Sequence, residues 1–131
     1  MQVRIITPNA IVYDQAALII TMPGELGEFG VLPGHELLIA SLNAGVAKIT
    51  VDNSIFKYFV YGGIAEVDNT HVNVLTEFAV DLSKVTKSEV EAKLANLREQ
   101  MDKEKEEINI QTIQSSIARH ESMLSFIVDN T

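Results

Sequence analysis

Every glycine and every proline of this chain lies between Pro8 and Gly63, and neither residue occurs from Ile64 to Thr131. Glycine opens positive φ and proline fixes φ, so together they punctuate tight turns, and both disrupt the interior of a helix. The first half is therefore expected to be a turn-rich β unit and the remainder helical. A tail of that size is too short to hold a core alone.

The 131 residues suit one small domain with an appendage, and a net charge of −8 argues against nucleic acid or an anionic membrane surface as partner. The absence of cysteine excludes a disulfide scaffold, a thiolate nucleophile and a Cys-ligated metal. The start Met1-Gln2-Val3-Arg4-Ile5-Ile6 carries no basic segment ahead of a long apolar run, and no stretch approaches the roughly 20 apolar residues of a membrane span. A soluble protein made where it works is the expectation.

Short strands are expected at Val3–Thr7, Ile11–Tyr13, Ala16–Met22, Glu36–Leu42, Val46–Val51, Ile55–Tyr61, Ile64–Val67 and His71–Thr76, forming an antiparallel sandwich or flattened barrel. Asp52-Asn53 and Asp68-Asn69 read as two-residue hairpin turns. Counting outward places Ile49 opposite Phe56 and Ala47 opposite Tyr58 on a core face, with Lys48 opposite Lys57 outside. In the second hairpin it places Ala65 opposite Val72 and Glu66 opposite His71. Ala16–Ile20 and Leu37–Ala40 are apolar on both faces and need outer cover, from the chain's own helices or from another subunit.

After Leu82 the period turns helical, with Val90, Leu94, Leu97, Met101 and Ile108 in one stripe. Thr86-Lys87-Ser88-Glu89 is a capping box, predicting a helix from Lys87 to about Glu106. Asp102–Glu107 carries a turn, and a second helix capped by Asn109 presents Ile113, Ile117, Leu124 and Ile127 or Val128. Each stripe is largely used by the other helix, which leaves little surface to fasten the hairpin elsewhere.

Gly24–His35 is the densest motif. It lacks the Lys and Ser/Thr of a phosphate loop and carries two carboxylates, so it reads as turns between strands, with glycines that admit a neighbouring subunit. His35, His71 and His120 lack ligand spacing, and no serine sits in a nucleophile elbow. No catalytic residue, cofactor or metal is expected. An enzyme would have to gather His35 with distant carboxylates. A free-standing binding module with a dimerising helical tail is the alternative from another class.

The stretches Gly27-Glu28-Phe29-Gly30-Val31-Leu32-Pro33-Gly34-His35, Tyr61-Gly62-Gly63-Ile64-Ala65-Glu66-Val67 and Val72-Asn73-Val74-Leu75, followed by a helical hairpin, resemble the epsilon subunit of the F-type ATP synthase over the whole length. The resemblance implies an α+β protein: an N-terminal antiparallel β-sandwich, residues 1–82, then a regulatory two-helix hairpin, residues 83–131. It further implies a non-catalytic rotor part that joins the gamma subunit to the c-ring and modulates ATP hydrolysis, peripheral to the cytoplasmic face of the bacterial plasma membrane. By the same resemblance Glu28, Phe29, Gly30, Val31, Leu32, Pro33, Gly34 and His35 face the c-ring, and the hairpin reaches the alpha and beta catalytic subunits.

Two departures bear on regulation. Some members bind ATP through Ile-Asp-x-x-Arg-Ala, where this chain has Val85-Thr86-Lys87-Ser88-Glu89-Val90, so Thr86 and Glu89 replace the Asp and Arg. A carboxylate where a guanidinium should meet triphosphate predicts no ATP binding. Inhibition in the family uses basic groups of the hairpin, whereas the second helix here has Arg119 alone as a fixed positive charge. Glu36-Leu37 also stands where Ala-Pro is usual after Gly-His.

Overall fold

The computed structural model describes residues 1–127, and the chain divides into two compact units, Met1–Ser83 and the segment from Lys84 onward. In the first unit the strands are β1 (Gln2–Ile6), β2 (Ile11–Ala16), β3 (Ile19–Gly24), β4 (Gly27–Val31), β5 (Leu38–Val51), β6 (Ser54–Val67), β7 (His71–Leu75) and β8 (Ala79–Asp81). Among the described residues they form one sheet in the order β2-β1-β7-β6-β5-β3-β4, with β8 also on β6.

The sheet becomes a sandwich because β5 and β6, 14 residues each, belong to both layers. Their ladder pairs Leu42 with Gly63 and then Ala44 with Tyr61, and at this break Gly62 and Gly63 hold φ of 73° and 121°. Only glycine takes such angles cheaply. The first half of β5 and the second half of β6 join β7, β1 and β2, while the other halves join β3, β4 and β8. Two expected pairs of short strands, Glu36–Leu42 with Val46–Val51 and Ile55–Tyr61 with Ile64–Val67, are thus two continuous bent strands. Asn43-Ala44-Gly45 bends the chain without interrupting it.

Alternation fills the space between the layers. Val3, Ile5, Ala65, Val67, Val72 and Val74 point inward from one layer; Ile20, Met22, Val31, Ala47, Ile49 and Tyr58 meet them from the other. Each fully buried aliphatic side chain of this kind contributes about 1.5–3 kcal/mol. Phe56 occupies the expected core face but remains 39% exposed at its margin, where its ring lies 6.3 Å from that of Tyr13.

The first hairpin has the expected register, with Ile49 opposite Phe56, Ala47 opposite Tyr58, and Asp52 at φ 52°. The second is shifted by two residues: Ala65 pairs with Val74 and Glu66 with Asn73. The cause is Asp68, whose Oδ1 accepts hydrogen bonds from the backbone N–H groups of Thr70 (2.8 Å) and His71 (2.7 Å). That Asx turn makes Asp68 the first residue of the turn rather than its centre. A shift of two preserves the inward face but removes the Glu66–His71 pair; His71 instead lies 3.8 Å from Asp68. One ladder, β1 with β7, is parallel.

The second unit contains α1 (Lys87–Lys103) and α2 (Glu107–Leu124), which contact each other. Thr86 caps α1, its Oγ1 accepting from the Glu89 N–H at 3.2 Å. The α1 helix ends three residues before the expected Glu106. The N-cap of α2 is Glu106, not Asn109, because the Glu104 carboxylate accepts the backbone N–H groups of Lys105 and Glu106 (both 3.1 Å) and turns the chain early. Val90, Leu94, Leu97 and Met123 are buried, and Ile108, placed in the stripe from sequence, is 71% exposed. Val128 lies outside the described residues.

Candidate functional site

Since Val3, Ile5, Ala65, Val67, Val72 and Val74 point inward, the residues between them must point out. Register aligns these outward residues into rows across the strands. One row runs Asp14, Arg4, Asn73, Glu66, Ile39, and the next runs Ile11, Ile6, Leu75, Ile64, Ser41. In the second row four neighbouring strands present large aliphatic side chains; Ile11 is 56% and Ile64 44% exposed, and Ile6 and Leu75 are half-buried. Ile39 at 76% and Leu37 at 84% extend the apolar surface. A contiguous aliphatic strip on the outside of a sheet marks a docking surface. The apolar pattern of Leu37–Ala40 calls for outer cover there, from the chain's own helices or from another subunit; the contribution of Ile11 and Ile64 emerges only from the pairing of distant strands.

The stretch Glu28–His35 is not a single loop. Residues 28–31 belong to the edge strand β4, with Glu28 opposite Pro23, Phe29 opposite Met22, Gly30 opposite Thr21 and Val31 opposite Ile20. Val31 is fully buried, and the half-buried Phe29 packs on the core with its ring where a Cβ on Gly24 would stand. Glu28 therefore sits beside the Glu25-Leu26 turn at the end where the sheet folds over, close to the Gly24–Leu42 pairing. Leu32, Pro33, Gly34 and His35 lie at the other end of β4, about 15 Å away at some 3.3 Å per residue. There Gly34, at φ 84°, donates its N–H to the carbonyl of Asn69 (3.0 Å). His35 Nδ1 lies 2.8 Å from the carbonyl oxygen of Glu36.

The fold-over end is thus acidic at Glu25 and Glu28, with Leu26 fully exposed between them. Two carboxylates around a bare leucine suit a polar, basic surface better than an oily one. Elsewhere on the first unit, Asp14 is held below the usual carboxylate range by the Gln2 side-chain amide at 2.6 Å and by Arg4 at 3.3 Å. Asp68 is lowered by the N–H groups of Thr70 and His71. Burial pushes the Tyr13 phenol up; burial and then the Asp81 carboxylate do the same for Tyr58. Among the described residues no three His, Asp or Glu side chains gather as a metal site.

On the helical unit, Glu89 occupies the first turn of α1, where a carboxylate complements the partial positive charge of the helix start. Arg119 is half-buried on α2, and Arg98 of α1 reaches Glu121 of α2 at 3.7 Å.

Residues 1–82 match the family model for the β-sandwich domain of the ATP synthase delta/epsilon chain. The chain belongs to that family. It is 41% identical over 101 residues to the ATP synthase epsilon chain of Rickettsia bellii, a match taking in 75% of this chain and 94% of the relative. It is 38% identical over 105 residues to that of Rickettsia felis, covering 78% and 94%. This is an epsilon-type member. Its fold is similar to a chain in the structure of the Euglena gracilis mitochondrial ATP synthase comprising OSCP, F1 and c-ring (TM-score 0.65, 21% identity, 94% of this chain and 78% of the other). It is also similar to a chain of the Tetrahymena thermophila mitochondrial ATP synthase central stalk and c-ring (TM-score 0.57, 15% identity, 96% and 92%). No helix of the described residues is long and apolar enough to cross a membrane.

Proposed function

We propose that the epsilon-type chain is a non-catalytic rotor subunit that joins the gamma subunit to the c-ring of an F-type ATP synthase. The observation that carries the reading is the exposed aliphatic row Ile11, Ile6, Leu75, Ile64 on the outer face of a sandwich that already has a complete core. Such a row gains from burial against a second protein, and in this family the stalk shaft is that protein. The acidic fold-over end, with Glu25 and Glu28, then meets the polar loops of the c-ring. The hairpin modulates hydrolysis by approaching the alpha and beta subunits, and the whole is peripheral to the cytoplasmic face of the bacterial plasma membrane through the complex.

The test is capture of gamma by the full chain. Ile64→Asp, at an outward position, should leave the sandwich folded and reduce gamma capture at least about tenfold. Retained capture removes the aliphatic row from the interface. In membranes, Glu28→Lys should weaken coupling of ATP hydrolysis to ion pumping, and unchanged coupling removes the fold-over end from the c-ring contact.

A further inference from the structure

The chain crosses from the first compact unit to the second between Ser83 and Lys84, and this crossing holds no glycine and no proline to make or stop a swivel. Side chains set its geometry instead. Asp81, the last residue of β8, accepts the Ser83 backbone N–H (2.9 Å) and the Ser83 hydroxyl (2.7 Å) on one carboxylate oxygen, and the chain enters a 3-10 turn over Leu82–Lys84. Thr86 then caps α1. Two side-chain caps thus bracket the crossing, with Lys84 and Val85 between them.

The two caps differ in what they hold. The Thr86 cap belongs to α1 and moves with it, whereas Asp81 stands on the sandwich, opposite the buried Tyr58 of β6, whose phenol feels its charge. The ladder beneath Asp81 is short. β8 has three residues and, among the described residues, pairs with β6 alone, so its last residue frays unless something more fastens it. The doubly accepting carboxylate supplies that fastening and fixes where the chain leaves β8. A bond of this kind at the surface is modest in net free energy, so it opens and recloses.

We propose that Asp81 is a clasp on the crossing: while it holds Ser83, the swivel is confined to Lys84 and Val85, and when it opens the swivel widens to Leu82–Val85. Asp81 is thus a positioning residue for the hairpin. The clasp is a property of the free chain, so it is tested independently of what the hairpin meets in an assembled synthase.

Trypsin cleavage after the exposed Lys84 and backbone amide order parameters from nuclear relaxation, both measured on the full chain, test it. Asp81→Ala is expected to speed that cleavage at least about fivefold and to lower the order parameters of Leu82 and Ser83 below about 0.6, the flexible range. Asp81→Asn keeps an acceptor in place and should stay within about twofold of wild type. Amide protection at Val72 and Val74 reports the sandwich itself. Asp81→Ala matching wild type in either readout overturns the clasp. Faster cleavage with protection lost at Val72 and Val74 also overturns it, because Asp81 then supports the sandwich as a whole. An Asp81→Asn chain as mobile as Asp81→Ala overturns it as well, since the charge and not the bond to Ser83 is then what matters.

Discussion

The carbonyl oxygen of Leu75 stands where a Cβ on Gly63 would have to go. With φ at 121° as well, the corner of the sandwich admits no side chain at this position. Gly63→Ala should cost about 3 kcal/mol or more, since strain and a backbone clash act together. Gly30→Ala is the matched control: its nearest neighbour is Thr21 Oγ1 at 3.8 Å, and its φ is ordinary. Urea midpoints of the two variants should differ clearly, and a Gly63→Ala midpoint near wild type would mean that the corner can relax.

Tyr13 is 6% exposed, its ring meets Tyr58 edge-on at 5.5 Å, and its hydroxyl oxygen is buried without a hydrogen-bond partner. Removing that oxygen removes an unpaid desolvation, so Tyr13→Phe should leave stability unchanged or raise it by up to about 1 kcal/mol. Both tyrosines are raised, so their neutral forms favour the folded state. That contribution is present below the unfolded tyrosine pKa of about 10 and is lost as pH rises through the folded values. Thermal melts above pH 10 should show Tyr13→Phe losing less stability than wild type.

Asp68 behaves oppositely in acid. Its lowered pKa means that the turn gains from the carboxylate above about pH 3.9, the ordinary value, and loses this as pH falls through the folded value. Asp68→Asn keeps an acceptor at the same place but cannot titrate. Protection of the Thr70 and His71 amides, with the intrinsic pH dependence of exchange divided out, should therefore fall in acid in the wild type and be flat in the variant; parallel protection curves would remove Asp68 as the cause.

Truncation after Ser83 leaves an intact compact unit, and the family model itself ends at residue 82. Arg119 is the only lysine or arginine between Glu107 and Leu124, so electrostatic capture of the hairpin by a catalytic subunit should be weak. Hydrolysis by the assembled enzyme should rise by no more than about threefold on truncation. A many-fold rise would show that the hairpin inhibits through other contacts.

Glu89 at the start of α1 meets any approaching triphosphate with like charge. Calorimetry on the isolated chain should detect no ATP binding at submillimolar concentration, and measurable heat in that range would refute the expectation.

Local signals in the sequence hold where a side chain acts on its own backbone. Thr86 marks the start of α1, and Asp52-Asn53 sets the first hairpin. The errors arise where two local signals compete. Asp68 was expected at the centre of a turn but opens one instead, because its carboxylate reaches two N–H groups ahead. Gly27–Val31 was expected to be turns, yet Gly30 has room beside Thr21 and the segment pairs as a strand. Asn109 lost the cap of α2 because Glu104 turned the chain three residues sooner. The pairing of Glu66 with Asn73 is not legible in the sequence, since it depends on a register that the Asp68 turn decides.

The two long strands that pass from one layer into the other have a mechanical corollary. A torsional load applied to the outer face near Ile39 and Ile64 travels through continuous main chain to the opposite layer, without crossing a slip plane of side chains. Under such a load the two layers would turn together rather than slide, and Gly62 and Gly63 mark the crease where each continuous strand pair passes from one layer into the other.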